Sequence, residues 1–79
     1  MELVVTFART LDAFAFEDAA RAAGVGGRLI PLPTSIAATC GLAWKLPPGA
    51  GLDALDPLSA LPREGVYARA DRTYTRLDS

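Results

Sequence analysis

Apolar and polar positions fall in blocks along this chain, and the period changes from block to block. Leu3-Val4-Val5-Thr6-Phe7 is a β-branched and aromatic run that predicts a first strand. Thr10 stands where an N-cap belongs, and the helix formers from Leu11 to Ala23 follow it, with Asp12 in the first turn and Gly24 beyond the last. Ala13, Phe16, Ala20 and Ala23 recur at helical spacing and predict a shallow buried stripe, while Glu17, Asp18 and Arg21 occupy the other face. Phe14 lies off that stripe and either covers the helix flank or joins a dimer surface. Arg28 to Leu32 predicts a short second strand, which Pro31 confines to an edge or a strand end because proline cannot donate to a ladder.

Beyond it, Pro33 to Thr39 reads as a loop with a helical turn around Ser35 to Ala38, and Gly41 to Leu46 reads as a third strand ended by Pro47-Pro48-Gly49. A second helical region runs from about Leu52 to Leu61, where Pro57 either starts a new short helix or kinks a longer one. Gly65 to Arg69 is the fourth strand. Asp71 to Ser79 is polar, a loose tail in which Tyr74 and Leu77 could dock on a neighbour. The expected organisation is one domain over residues 1–70 followed by a polar tail over 71–79. Strand, helix, strand, strand, helix, strand is the α+β pattern of the ferredoxin-like split βαβ domain (βαββαβ), a four-stranded antiparallel sheet in the order 4-1-3-2 with two helices on one face.

Composition narrows the function classes. At 79 residues, 51% of them apolar and 15 of the apolar ones alanine, the chain can fill one thin core, and a partner subunit is a plausible source of further stability. A net charge of −1 argues against a nucleic-acid footprint or an anionic-membrane stripe. The apolar stretches are interrupted well before the roughly 18 residues a membrane span needs. Glu2 stands where a secretory signal would be basic, so a cytoplasmic location is the expectation. One cysteine and no histidine leave no intramolecular disulfide, no metal site of the usual kind and no Ser-His or Cys-His catalytic pair. No cofactor is indicated. Gly24-Val25-Gly26-Gly27 follows a helix, whereas a phosphate loop precedes one, so it is a connector. Trp44 is expected to pack in the core or at an interface with its indole N–H seeking a partner, and Arg69, Arg72 and Arg76 to lie on a solvated, mixed-charge tail.

The expected topology carries a chemical consequence. It places Cys40, just before the third strand, on the same sheet edge as Arg9, Thr10 and Arg63, so that the N-terminal amides of the first helix and a guanidinium would favour a thiolate there.

These same residues carry a family resemblance. Arg28-Leu29-Ile30-Pro31-Leu32-Pro33, then Ile36, then Thr39-Cys40-Gly41-Leu42-Ala43 resembles the R-x-I-P-x-P and C-G-x-A segments of small proteins described as selenium/sulfur carrier-like. The likeness extends from the first strand through a helix ending in Ala23-Gly24 to Gly65-Val66-Tyr67. It implies a carrier, not an enzyme, whose Cys40 holds sulfur or selenium as a persulfide or perselenide between donor and acceptor proteins. One departure is Thr34, where such proteins often have an arginine after the second proline; Arg9 or Arg28 would have to supply that charge. A carrier benefits from one accessible thiolate with no second thiol to resolve the persulfide. Gly41 would let a donor's backbone approach, and Thr39 could give a hydroxyl to the sulfur anion; Arg9 and Thr10 complete the expected cargo-binding set. The alternative is a ferredoxin-like binding or regulatory module, with a homodimer as one form, in which Cys40 is a small buried hydrophobe.

Overall fold

The computed structural model describes residues 2–77. Its first strand, β1 (Glu2–Thr6), is buried over four of its five residues. Strand periodicity sends Leu3 and Val5 to one face, where Phe7 joins them, and Val4 and Thr6 to the other. Helix α1 (Thr10–Ala23) covers the first of these faces. Its N-cap is Arg9, whose backbone is extended and whose side chain makes no capping bond, so Thr10 is the first helical residue and not the expected cap. Gly24 closes α1 as expected, with φ 74°: its N–H donates to the Arg21 carbonyl and the Val25 N–H to that of Ala20, the paired bonds of a Schellman motif. The buried stripe is Asp12, Ala13, Phe16 and Ala20; Ala23, expected in it, is exposed.

β2 (Arg28–Pro31), β3 (Leu42–Lys45) and β4 (Gly65–Ala70) follow, and a hairpin from β4 adds β5 (Thr73–Arg76). The sheet order is β2-β3-β1-β4-β5, and every neighbouring pair is antiparallel. Its first four strands keep the expected order read from the other edge, with Pro31 on an outer strand. Two features depart from a four-stranded ferredoxin-like domain. The second helix is one 3₁₀ helix, Leu52–Leu58, with Pro57 inside it, because proline removes the N–H that a full α-turn would need. The segment expected to be a loose tail carries the fifth strand, entered through Asp71 at φ 57°, a left-handed conformation that aspartate tolerates; positions 78 and 79 of that segment lie outside the described residues.

The main core lies between the sheet and α1. Phe16 meets the Phe7 ring edge-on at 5.2 Å between centroids and the Trp44 indole at 5.8 Å, while the small Ala13 and Ala20 let α1 lie close. Trp44 donates its indole N–H to the Gly26 carbonyl at 3.4 Å, the partner its burial calls for. Gly27, at φ 122°, must lack a side chain: a Cβ there would overlap the Trp44 indole nitrogen and the Lys45 carbonyl. The opposite face holds a second, smaller cluster of Val4, Ala43 and Ile36, flanked by Ile30, Leu32, Tyr67 and Tyr74. On that face Glu2 joins two strands, accepting from Lys45 Nζ at 3.0 Å and Arg69 Nη1 at 3.1 Å.

Phe16→Ala removes the ring that ties α1 to both Phe7 and Trp44, and is expected to cost about 3–5 kcal/mol in denaturant unfolding, against less than about 1.5 kcal/mol for Phe16→Met. The hydrogen bond from Lys45, reinforced by Arg69, holds the Glu2 carboxyl below its ordinary range. A lowered folded-state value makes this contribution to stability present above the ordinary carboxylate range and lost as pH falls through the lowered value. Carboxyl-detected NMR titration should place Glu2 low in the native chain and return it toward the usual range in Lys45→Ala.

Candidate functional site

The link between β2 and β3 is a strap that visits both faces of the sheet. Its neck is closed by Leu32 N–H donating to the Gly41 carbonyl at 2.9 Å. A turn centred on Thr34 and Ser35 is closed by the Ile36 N–H donating to the Pro33 carbonyl at 3.0 Å, in place of the expected helical turn further on. Ile36, 4% exposed, then packs on Val4 and Ala43 on the face away from α1. Four residues later the chain has crossed: the Cys40 N–H donates to the Phe7 carbonyl at the end of β1 at 3.3 Å, and the Cys40 side chain joins the core under α1.

At the sulfur, the Leu42 N–H donates to Sγ at 3.4 Å and Thr10 Oγ1 lies 3.8 Å away, at the first residue of α1. A negative charge on this sulfur would therefore face a backbone N–H, a hydroxyl that can rotate to donate, and the positive end of a 14-residue helix. That much matches the expected convergence of Cys40 and Thr10. Three other expected neighbours do not form the shell drawn from the sequence. Arg9 turns back along the helix, its guanidinium bonding both Asp12 carboxylate oxygens at 3.4 and 3.2 Å, because a carboxylate three residues ahead is the nearest partner for an otherwise solvated cation. Thr39 directs its hydroxyl to Glu64 Oε2 at 3.3 Å, on the shallow depression it shares with Ala37, Ala38 and Arg76. Arg63 lies instead along a groove between the 3₁₀ helix and β4. Gly41 does adjoin the sulfur's residue, is exposed, and has open space where a Cβ would stand, so a partner's backbone could approach it.

The rim position expected for the thiol is corrected by its burial. Cys40 is 4% exposed, yet Thr10 beside it is exposed, so the sulfur sits one side chain below the surface. Elsewhere on α1, Leu11, 76% exposed, and Phe14, 47% exposed, are two large apolar side chains left in water one turn apart. Sequence reasoning missed the Leu42 N–H, which follows from the turn that carries Gly41, and missed Ile36 as an anchor. The available signal for the latter was its being the one β-branched hydrophobe in Pro33-Thr34-Ser35-Ile36-Ala37-Ala38.

Among the described residues, no group of three His, Cys, Asp or Glu side chains could hold a metal ion, and no helix is long and apolar enough to cross a membrane. A family model described as “Putative Se/S carrier protein-like” matches residues 2–66, which takes in β1 through the start of β4 and the whole strap. No curated protein and no solved structure matches the chain.

With the sulfur beneath Thr10 and the strap pinned by Ile36 from the far face, access to Cys40 depends on local opening. Iodoacetamide should modify Cys40 of the native chain at least tenfold more slowly than a small-molecule thiol at the same pH. Ile36→Ala should recover most of that factor, while Val66→Ala, a core truncation away from the strap, should not at matched global stability.

Proposed function

The chain belongs to the Se/S carrier protein-like family, and on that premise we propose that Cys40 is the attachment point of a sulfur or selenium carrier, holding one chalcogen atom as a persulfide or perselenide. The observation that supports this best is the surrounding of Sγ, where the Leu42 N–H and the α1 N-terminus present positive dipole ends and the Thr10 hydroxyl, 3.8 Å away, can rotate to donate to an anion. Loading is a thiol exchange. The Cys40 thiolate attacks the outer sulfur of a donor's persulfide, the new S–S bond forms as the donor's own S–S bond breaks, and the donor leaves as a thiolate. No electrons are gained or lost overall, and the reaction needs neither a metal nor a base on this chain. With one cysteine in the chain, no second thiol of its own can attack the loaded sulfur and discharge it as a disulfide.

The partners of such a carrier are a donor protein that forms the persulfide or its selenium counterpart and an acceptor that removes it. Gly41 gives the approach on one side, its open space admitting a partner's backbone. The same reading assigns Thr10 to the cargo. Arg9, Thr39 and Gly41, the other residues expected around the cargo, would act from the outer rim once the strap opens. The cytoplasm, where thiols stay reduced, suits this exchange.

A second reading rests on the burial of Cys40 among Phe7, Phe16 and Leu46 in the main core: a binding module in which the thiol is packing. Intact-mass spectrometry separates the two. After incubation with a cysteine desulfurase and cysteine, the wild-type chain should gain the mass of one sulfur atom, reversed by reductant, and Cys40→Ser should gain nothing. Absence of the adduct from both wild type and the strap-loosened Ile36→Ala would overturn the carrier reading, because in that variant access is no longer limiting.

A further inference from the structure

The two borders of the sheet are unlike. In β2 the Leu32 N–H points to β3, so by the alternation of an antiparallel ladder Ile30 and Arg28 also pair inward while Leu29 and Pro31 point outward. Pro31 thus deletes one of the N–H groups that border would offer, a common way of blunting an edge. In β5 the Leu77 N–H donates to the Val66 carbonyl at 2.8 Å, which assigns Thr75 and Thr73 inward to β4 and leaves the backbone groups of Tyr74 and Arg76 directed outward. That border has no proline, no lysine and no bulge.

A second observation adjoins it. The 3₁₀ helix is too short to cover the helix-side face as far as β5, and a groove of about 230 Å³ remains, lined by Leu52, Leu55, Val66 and Leu77 with Asp56 and Arg63 among its polar walls. Leu52 and Leu77 are two of the four exposed large hydrophobic side chains among the described residues. The outward ladder and the exposed apolar surface therefore lie on the same side of the molecule.

From these we infer that β5 is a homodimer interface, in which a second copy of this chain adds its β5 antiparallel to the first about a two-fold axis at Thr75. Charge and hydrogen bonding select that register. With Thr75 opposite Thr75 of the second copy, Tyr74 and Arg76 of each chain face Arg76 and Tyr74 of the other and exchange four backbone hydrogen bonds. An axis at Arg76 would set two arginines face to face, and one at Tyr74 would set Arg76 against Arg72, both like-charge pairs that a sheet disfavours. The chosen register instead gives a Thr–Thr pair on the helix-side face and, on the other, sets each Tyr74 opposite an Arg76 whose guanidinium is held by its own chain's Glu64 carbonyl at 2.8 Å, so that no two arginines meet. Thr73 of the second copy comes opposite Leu77 at the mouth of the groove, extending cover over it. Cys40 is tied to β1, two strands away from β5, so pairing leaves both sulfurs on the outer halves of the dimer.

The test is sedimentation velocity over a concentration series of wild type, Thr75→Lys and Thr75→Glu, each checked by circular dichroism for a native fold. Wild type should reach twice the monomer mass and dissociate on dilution. Each variant places like charges at the axis and should stay monomeric at every concentration, while an equimolar mixture of the two should regain the dimer through a Lys–Glu pair. Wild type that remains monomeric into the sub-millimolar range, or variants that dimerise separately as wild type does, would overturn the inference.

Discussion

Burying β1 on both sides with only one full-length helix available is the constraint from which the rest of this molecule follows. Leu3, Val5 and Phe7 are covered by α1, but Val4 and Thr6 are equally buried, and among the described residues no helix lies on their side. Apolar surface left in water would cost about 25 cal/mol per Å², which a chain of this size cannot spare. The cover comes from the β2–β3 strap, whose Ile36 seats on Val4 and Ala43. A connection that elsewhere in a protein would be a short hairpin turn is long here because it must reach over one face and return to the other.

That detour fixes the chemistry. The strap's return leg ends at the Phe7 carbonyl, and the residue bonded there is Cys40, so the geometry that completes the minor core also delivers the thiol to the start of α1. Stability and reactivity are in tension at this position. The contacts that hold the sulfur, from the Leu42 N–H and the Thr10 side chain, accompany its burial, and Thr10 is the exposed residue that stands beside it.

The backbone pattern of the chain was legible wherever local chemistry decides. The β-branched run at Leu3–Phe7, the Gly24 helix end and the restriction of Pro31 to an outer strand each rest on one residue's steric or hydrogen-bonding character, and each appears in the structure. What was not legible depends on partners distant in sequence. Arg9 was expected at Cys40 because topology brings them to one edge, yet Asp12 is three residues away and takes the guanidinium first. The exposure of Cys40 turned on whether the strap folds over the sheet, which only the complementary surfaces of Ile36, Val4 and Ala43 determine. The Thr73-Tyr74-Thr75 alternation behind an aspartate turn is a hairpin signal, but its polarity reads as a solvated tail until β4 is there to pair with it.

Pro31 also limits how far the sheet can grow. A sheet with two competent borders can recruit neighbours indefinitely, as fibrils do, and short apolar domains run that hazard whenever they are abundant. Here one of the two outward residues of β2, Pro31 at the strand's end, has no N–H to offer, so that border is the weaker template and addition is directed to the opposite one. A proline that the sequence motif places next to the thiol strap thereby also blunts a sheet border, by chemistry unrelated to the sulfur.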